Sequence, residues 1–263
     1  MPKRKKKTGP EALSALARIP GIEKRAGMPA PDSVIGVTPA TPTVKYTIIH
    51  TNEVDVYEEG ALGPGRAGIL PSLPAGDDFK GTSRKATKLS LSPAEIEKFK
   101  DVKALIETLQ PHDQMVKHKP KITTTAGSKR VKEEERNVRV KAFMYAASRE
   151  DDNDYHLIIG RSSTATPETY MTMELSGLPP ANSPAFAKLK AARDAFKKFF
   201  KDIGAKPPGQ KYDFYQPPIS VQIEGSLFFD MSHAKGSRPG PASLKSRMPV
   251  VWEVHPISKI VLK

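Results

Sequence analysis

The residues with most chemical potential are histidines that stand close behind a carboxylate. The chain has six histidines, and three of them follow this pattern in its second half: Asp154 and His156 in DNDYH, Asp230 and His233 in FFDMSH, Glu253 and His255 in WEVHP. Residues two apart on a strand share a face, so the first and last pairs can lie side by side. A carboxylate beside an imidazole fixes its tautomer, raises its basicity or orients its metal-binding nitrogen. The plainest role for such pairs is structural: satisfied imidazoles at strand ends that pin the loop GSRPGPASLKSR. The sharper alternative is a site where Asp154, His156, Asp230, His233, Glu253 and His255 converge on a divalent metal that activates water. Zinc or manganese suits such ligands better than calcium. A polar ligand-binding patch is the third reading.

Other chemistries are excluded or unsupported. The absence of cysteine rules out disulfides, thiolate zinc sites and cysteine nucleophiles. The sequence has no H-E-x-x-H, Gly-rich phosphate loop, nucleophile elbow or kinase signature. No apolar run approaches the roughly 18 residues of a membrane span, and no apolar segment follows the basic start MPKRKKK, so the expectation is a soluble, cytoplasmic protein.

The elements that must position the pairs are read from residue 132 onward. RVKAFMYAAS, DYHLIIG and ETYMTMELSG read as three strands separated by the turn clusters REDDND and RSSTATP. A helix follows, with Ser183 and Pro184 at its start, Leu189, Ala192, Phe196, Phe199 and Ile203 on one face, and Gly204 as its stop. ISVQIEGSLFFD and VVWEVHPISKIVL are two further strands. Three strands, a helix and two strands is the element order of the OB-fold. The expected fold is therefore mainly β (α+β): a five-stranded OB-like barrel over residues 132–263 with its helix between strands three and four.

The upstream half reads differently. Residues 1–43 form a basic, Pro-interrupted tail expected to be disordered. Residues 44–131 are expected to be irregular, with short strands in KYTIIHTNEVDVYEEG and an amphipathic helix at about 92–110. That helix would have Ser92, Pro93 and Glu95 as its capping signals and Ile96, Phe99, Val102, Ile106 and Leu109 as its apolar face.

A net charge of +13, from 42 Lys and Arg against 29 Asp and Glu, favours polyanionic partners. The candidates for polyanion contact are Lys188, Arg193, Lys197 and Lys201 on the helix, and Lys235, Arg238, Lys245 and Arg247 in the last loop. Tyr155 and Tyr170 are the only aromatics on the second and third strands, a thin platform for stacking bases. The leading functional expectation is a basic OB-like binding module that contacts single-stranded nucleic acid or a protein partner. The alternatives are a metal-dependent, nuclease-like hydrolase using the His and carboxylate pairs, and a structural or assembly protein that docks through its upstream strand and helix.

Taken together, Asp154 and His156, then Gly225, Phe228, Phe229, Asp230 and His233, then Trp252, Glu253, His255 and Pro256 form a D-x-H, G-x-x-F-F-D-x-x-H and W-E-x-H-P set. This set resembles a group of uncharacterised bacterial proteins with a small OB-like β-barrel domain. The resemblance spans residues 138–263 and implies that the three paired motifs belong together; it attaches no reaction to them.

Overall fold

A computed structural model of the chain describes residues 44–54, 73–164, 168–234 and 238–263. The tail expected at residues 1–43 lies outside them, as does Lys235. The described residues from Val44 to Lys263 form one compact unit, and none of their helices is long and apolar enough to cross a membrane.

The fold is mainly β. Seven strands, β1 (Thr47–His50), β2 (Ile96–Phe99), β3 (Asn137–Arg149), β4 (Tyr155–Gly160), β5 (Tyr170–Leu175), β6 (Asp213–Phe229) and β7 (Trp252–Leu262), form a mixed sheet in the order β1-β6-β7-β5-β4-β3-β2. Among the described residues four α-helices accompany it: α1 (Lys85–Lys88), α2 (Val102–Ile106), α3 (His112–Val116) and α4 (Phe186–Asp202). β3 also pairs with β6, so the pairings β3–β4, β4–β5, β5–β7, β7–β6 and β6–β3 return to their start. Within that ring only β5–β7 is parallel, and it is joined by just two residue pairs, Thr172 with Glu253 and Met173 with Val254.

The strands and helix expected after residue 132 are present, but the sheet has seven strands rather than five. The two extra strands come from the upstream half. β6 begins at Asp213, earlier than its apolar run suggests, and its first residues pair antiparallel with β1. β2 pairs parallel with the start of β3, from Ile96 opposite Asn137 to Phe99 opposite Val140.

The helix expected over 92–110 is not formed. Ile96–Phe99 is strand β2, and helix resumes only in α2, where Asp101 caps by accepting the Ala104 amide at 2.8 Å. Ser92 has other partners. Its amide donates to Ser226 Oγ at 2.9 Å, and Asn137 Nδ2 donates to the carbonyls of Ser92 and Ala94 at 2.8 and 2.7 Å. Ser92 Oγ still accepts the Ala94 amide at 3.1 Å, but these longer-range bonds and the pairing with β3 hold the segment extended, a case of tertiary context overriding propensity. Val102 and Leu105 still reach the main core, with Met115 and Ile122, so this part of the upstream half helps to fill the interior.

That core holds alternate residues of the ring: Leu157 and Ile159, Met171 and Met173, Leu227 and Phe229, Trp252 and Val254, with Phe196 and Phe200 of α4. Phe228 is buried as well, but alternation turns it to the opposite face.

One buried ion pair ties the upstream half to that opposite face. The Arg84 guanidinium, 1 % exposed, donates to both oxygens of the fully buried Glu134, at 2.6 and 2.8 Å. It also donates to the Phe229 carbonyl at 3.0 Å and sits 4.7 Å from the Phe228 ring centroid. Glu134 in turn accepts the amides of Phe229 and Val131. Every oxygen of the carboxylate is therefore used, which is the condition for a buried pair to persist. Glu134→Gln, which leaves a buried cation uncompensated, is expected to lower the unfolding free energy by about 3–5 kcal/mol. The double variant Arg84→Met, Glu134→Gln is expected to lose less than Glu134→Gln alone. Urea unfolding of the full chain checks both, and a double variant that is the less stable of the two would refute the electrostatic account.

Candidate metal centre

On β4, β5 and β7 the residues that alternate with the core are His156, Glu174, Glu253 and His255. Register brings them together: His156 lies opposite Glu174, and Glu253 lies between Thr172 of β5 and Phe228 of β6. This outer face is not left in solvent. At one end Met248 packs with Ile158 and Tyr170. At the other, the segment carrying α1 lies over it, joined by a Ser176 hydroxyl that donates to the Lys88 carbonyl at 3.2 Å and by a bridge between Asp78 and Leu178. Gly177 permits this close cover, since a Cβ there would stand 2.6 Å from Phe79 Cα.

Between sheet and cover lies a polar cluster. Asp154, fully buried just before β4, accepts the Gly177 amide at 2.6 Å through Oδ1. Its Oδ2 lies 3.3 Å from Lys88 Nζ and 3.4 Å from His255 Nε2. Lys88 Nζ also reaches Asp152 at 3.1 Å and Glu174 at 3.9 Å. His255 Nδ1 is 2.6 Å from Glu174 Oε2 and 3.7 Å from Glu253 Oε2. The closer contact is bent, and within hydrogen-bond distance the buried His255 Nδ1 and Glu174 Oε2 have only each other. His156 Nδ1 bonds Glu150 Oε1 at 2.7 Å and lies 3.8 Å from Glu174 Oε1. His233 bonds Asp230.

Two sets of three residues have ligand atoms within 4.8 Å of one another, Asp154–Glu174–His255 and Glu150–His156–Glu174. These buried His, Glu and Asp groups are close enough together to hold a metal.

The electrostatics separate the carboxylates. Burial pushes Asp154 and Glu253 well above the usual carboxylate range. Asp152 reinforces the effect on Asp154, Glu174 and Asp230 reinforce it on Glu253, and Lys88 only partly opposes it in each case. Burial acts the same way on Glu174, but His255 and Lys88 outweigh it and hold Glu174 well below that range. Asp230 is lowered because the bond and charge of His233 outweigh its burial. For Lys88, burial disfavours the charge, yet Asp152, Asp154, Glu174 and Glu253 together raise its pKa well above the ordinary value.

Of the six residues expected from the sequence, Asp154 and His255 belong to the first set and His156 to the second. Glu253 lies beside His255, and Asp230 with His233 lies near enough to influence Glu253. Sequence reasoning missed Glu174, the residue common to both sets, together with Glu150, Asp152 and Lys88. The one signal for Glu174 was alternation in YMTMEL, which sets it opposite Met171, Met173 and Leu175; no histidine near it in sequence drew notice.

The basic residues have other uses. Arg193 is buried and unavailable to a polyanion, since its guanidinium donates to the carbonyls of Asn153, Leu175 and Ser176 at 2.9–3.1 Å. It holds α4 against the two segments that carry Asp154 and Glu174. Lys197 pairs with Asp77, Arg238 donates to the Met248 carbonyl and Arg247 bonds Tyr170. Lys188 and Lys201 are exposed on α4, and Lys245 is half-buried. Tyr155 and Tyr170 are buried, 2 % and 3 % exposed, and offer no stacking platform.

No family model, curated protein or solved structure matches this chain, so the resemblance to bacterial OB-like proteins rests on its three motifs alone.

The opposed carboxylate shifts predict a pH signature in the metal-free protein. Stability linked to Asp154 and Glu253 is complete below their unfolded values near pH 4 and is lost as pH rises toward their elevated folded values; that linked to Glu174 and Asp230 is lost as pH falls below about 4. Between about pH 5 and 8 only the raised pair acts among these four. With chelator present, Glu253→Gln is therefore expected to show a smaller fall in melting temperature over that interval than the unsubstituted protein. Circular dichroism melts at the two pH values check this, and equal falls would contradict it.

Proposed function

We propose that the ring of pairings is an OB-like barrel and that the protein is a metal-dependent hydrolase of phosphodiesters. The observation that carries this reading is the meeting of Asp154, Glu174 and His255, buried groups from three segments, in which His255 Nδ1 and Glu174 Oε2 are held only by a bent contact with each other. Poorly satisfied polar atoms in a buried site are costly, and a divalent cation would satisfy both at once.

Zinc or manganese fits one imidazole with two carboxylates. Such an ion supplies a bound water that ionises near neutrality. The chain's own groups fill the remaining roles. Lys88 places a positive charge beside the cluster for a phosphate oxygen, and Glu253, whose pKa burial raises above the usual carboxylate range, is the candidate proton donor to the leaving oxygen. Two carboxylates held at opposite ends of their range are the usual mark of divided acid and base roles. The cluster meets solvent through Lys88, Glu150, Asp152 and His233, whose side chains are 13–17 % exposed.

The net positive charge of the chain favours the approach of a polyanionic substrate such as a nucleic acid. Binding alone is less well supported. The outer face of the second and third strands, which OB-folds offer to single strands, is here covered, acidic and without exposed rings.

The test uses the full chain loaded with manganese or zinc. Elemental analysis should give at least one ion per chain, and the loaded protein should cleave bis(p-nitrophenyl) phosphate or single-stranded DNA. Glu174→Gln and His255→Ala should each reduce turnover by more than about 100-fold, beyond the loss expected for an outer-shell partner. Affinity should rise with pH, because Asp154 must release its proton to bind. Stoichiometric metal without phosphodiester cleavage would overturn the hydrolase reading, and the absence of bound metal would overturn the centre itself.

A further inference from the structure

We infer that Glu174 bridges two divalent cations, the second held by Glu150 and His156. The inference rests on the metal centre proposed above and extends it. The two oxygens of Glu174 are already divided between neighbours. Oε2 lies 2.6 Å from His255 Nδ1, whereas Oε1 lies 3.8 Å from His156 Nδ1. The Glu150–His156–Glu174 set meets the same 4.8 Å limit as the first.

The turn after β3 supplies a ligand to each position. The Glu150 amide donates to the Asp154 carbonyl at 2.9 Å and the Asn153 amide to the Glu150 carbonyl at 3.1 Å. Asn153 adopts a left-handed φ of 79° to close the turn. Glu150 thereby stands at one position and Asp154 at the other, with Asp152 between them on Lys88.

Charge gives an independent reason. Among the described residues, Glu150, Asp152, Asp154, Glu174, Asp230 and Glu253 bring six carboxylates to the cluster and Lys88 brings an ammonium. One dication with Lys88 compensates three of the six and leaves three negative charges in a buried cluster. Two dications with Lys88 bring the cluster within one charge of neutrality when the imidazoles are neutral, as metal ligation requires.

The two positions differ in access. Asp154 and His255 are fully buried, while Glu150 retains 13 % exposure. The outer ion is the one a substrate would meet. Two cations about 3.5–4 Å apart stabilise the attacking and leaving oxygens of an in-line displacement at phosphorus. Hydroxide forms the new P–O bond as the bond to the leaving oxygen breaks, and that oxygen takes up a proton, yielding a phosphomonoester and an alcohol.

The experiment is a manganese titration of the chelator-stripped full chain, followed by calorimetry and electron paramagnetic resonance. Two equivalents per chain with an exchange-coupled spectrum at saturation are expected. His156→Ala should retain one equivalent with an isolated-ion spectrum, and circular dichroism should show its fold unchanged. A single equivalent in the unsubstituted protein, two uncoupled ions, or coupling that survives in His156→Ala would each overturn the bridge while leaving the first position standing. No bound manganese at all would remove both. Because the first readouts use the unsubstituted chain, they hold even if a variant fails to fold.

Discussion

Removing a carboxylate from water is tolerated only where something else compensates its charge. Much of this molecule can be understood from that constraint, because several carboxylates lie between the outer face of β4, β5 and β7 and the segment that covers it. Each has a distinct compensation. Asp154 receives a backbone amide from Gly177 and the ammonium of Lys88; Glu150 bonds His156 and Asp230 bonds His233; burial raises the pKa of Glu253, which eases the loss of its charge. Lys88 can serve only because the cover that carries it is fastened. The Arg84–Glu134 pair, four residues away, fixes that cover to the end of β6 and stacks on Phe228, whose other neighbour is His255 at 5.3 Å between centroids. The packing of the upstream half and the electrostatics of the cluster are thus one problem with one solution.

The whole-chain charge of +13 conceals a buried set of the opposite sign: among the described residues, buried carboxylates outnumber buried basic groups. Whole-chain charge therefore informs the approach of partners but says nothing of the local field that a bound ion or substrate would meet. Arg193 illustrates the difference. By composition it belongs to a basic helix face, yet it is spent on backbone carbonyls beside the cluster.

What the sequence disclosed follows from the range of the forces involved. Alternation and turn residues are local, so the strands after residue 132 and α4 were legible, as was the pairing of each acid with its nearby histidine. The same local logic failed at Ser92, Pro93 and Glu95, where a capping pattern was overruled by a strand edge some forty residues downstream. Glu174 and Lys88 were invisible for a related reason. Each acts through partners distant along the chain, and each sits in a stretch whose own pattern is fully explained without it. YMTMEL is a complete buried strand, and Lys88 falls in the stretch 44–131 that reads as irregular.

The parallel contact between β5 and β7 is the shortest pairing in the ring, two residue pairs against six or more at the other joins. Glu174 stands on one side of it and His255 on the other. Any cation gripped by both would act as a rivet through the weakest weld of the hoop, so loading the site and keeping the hoop shut become a single mechanical event.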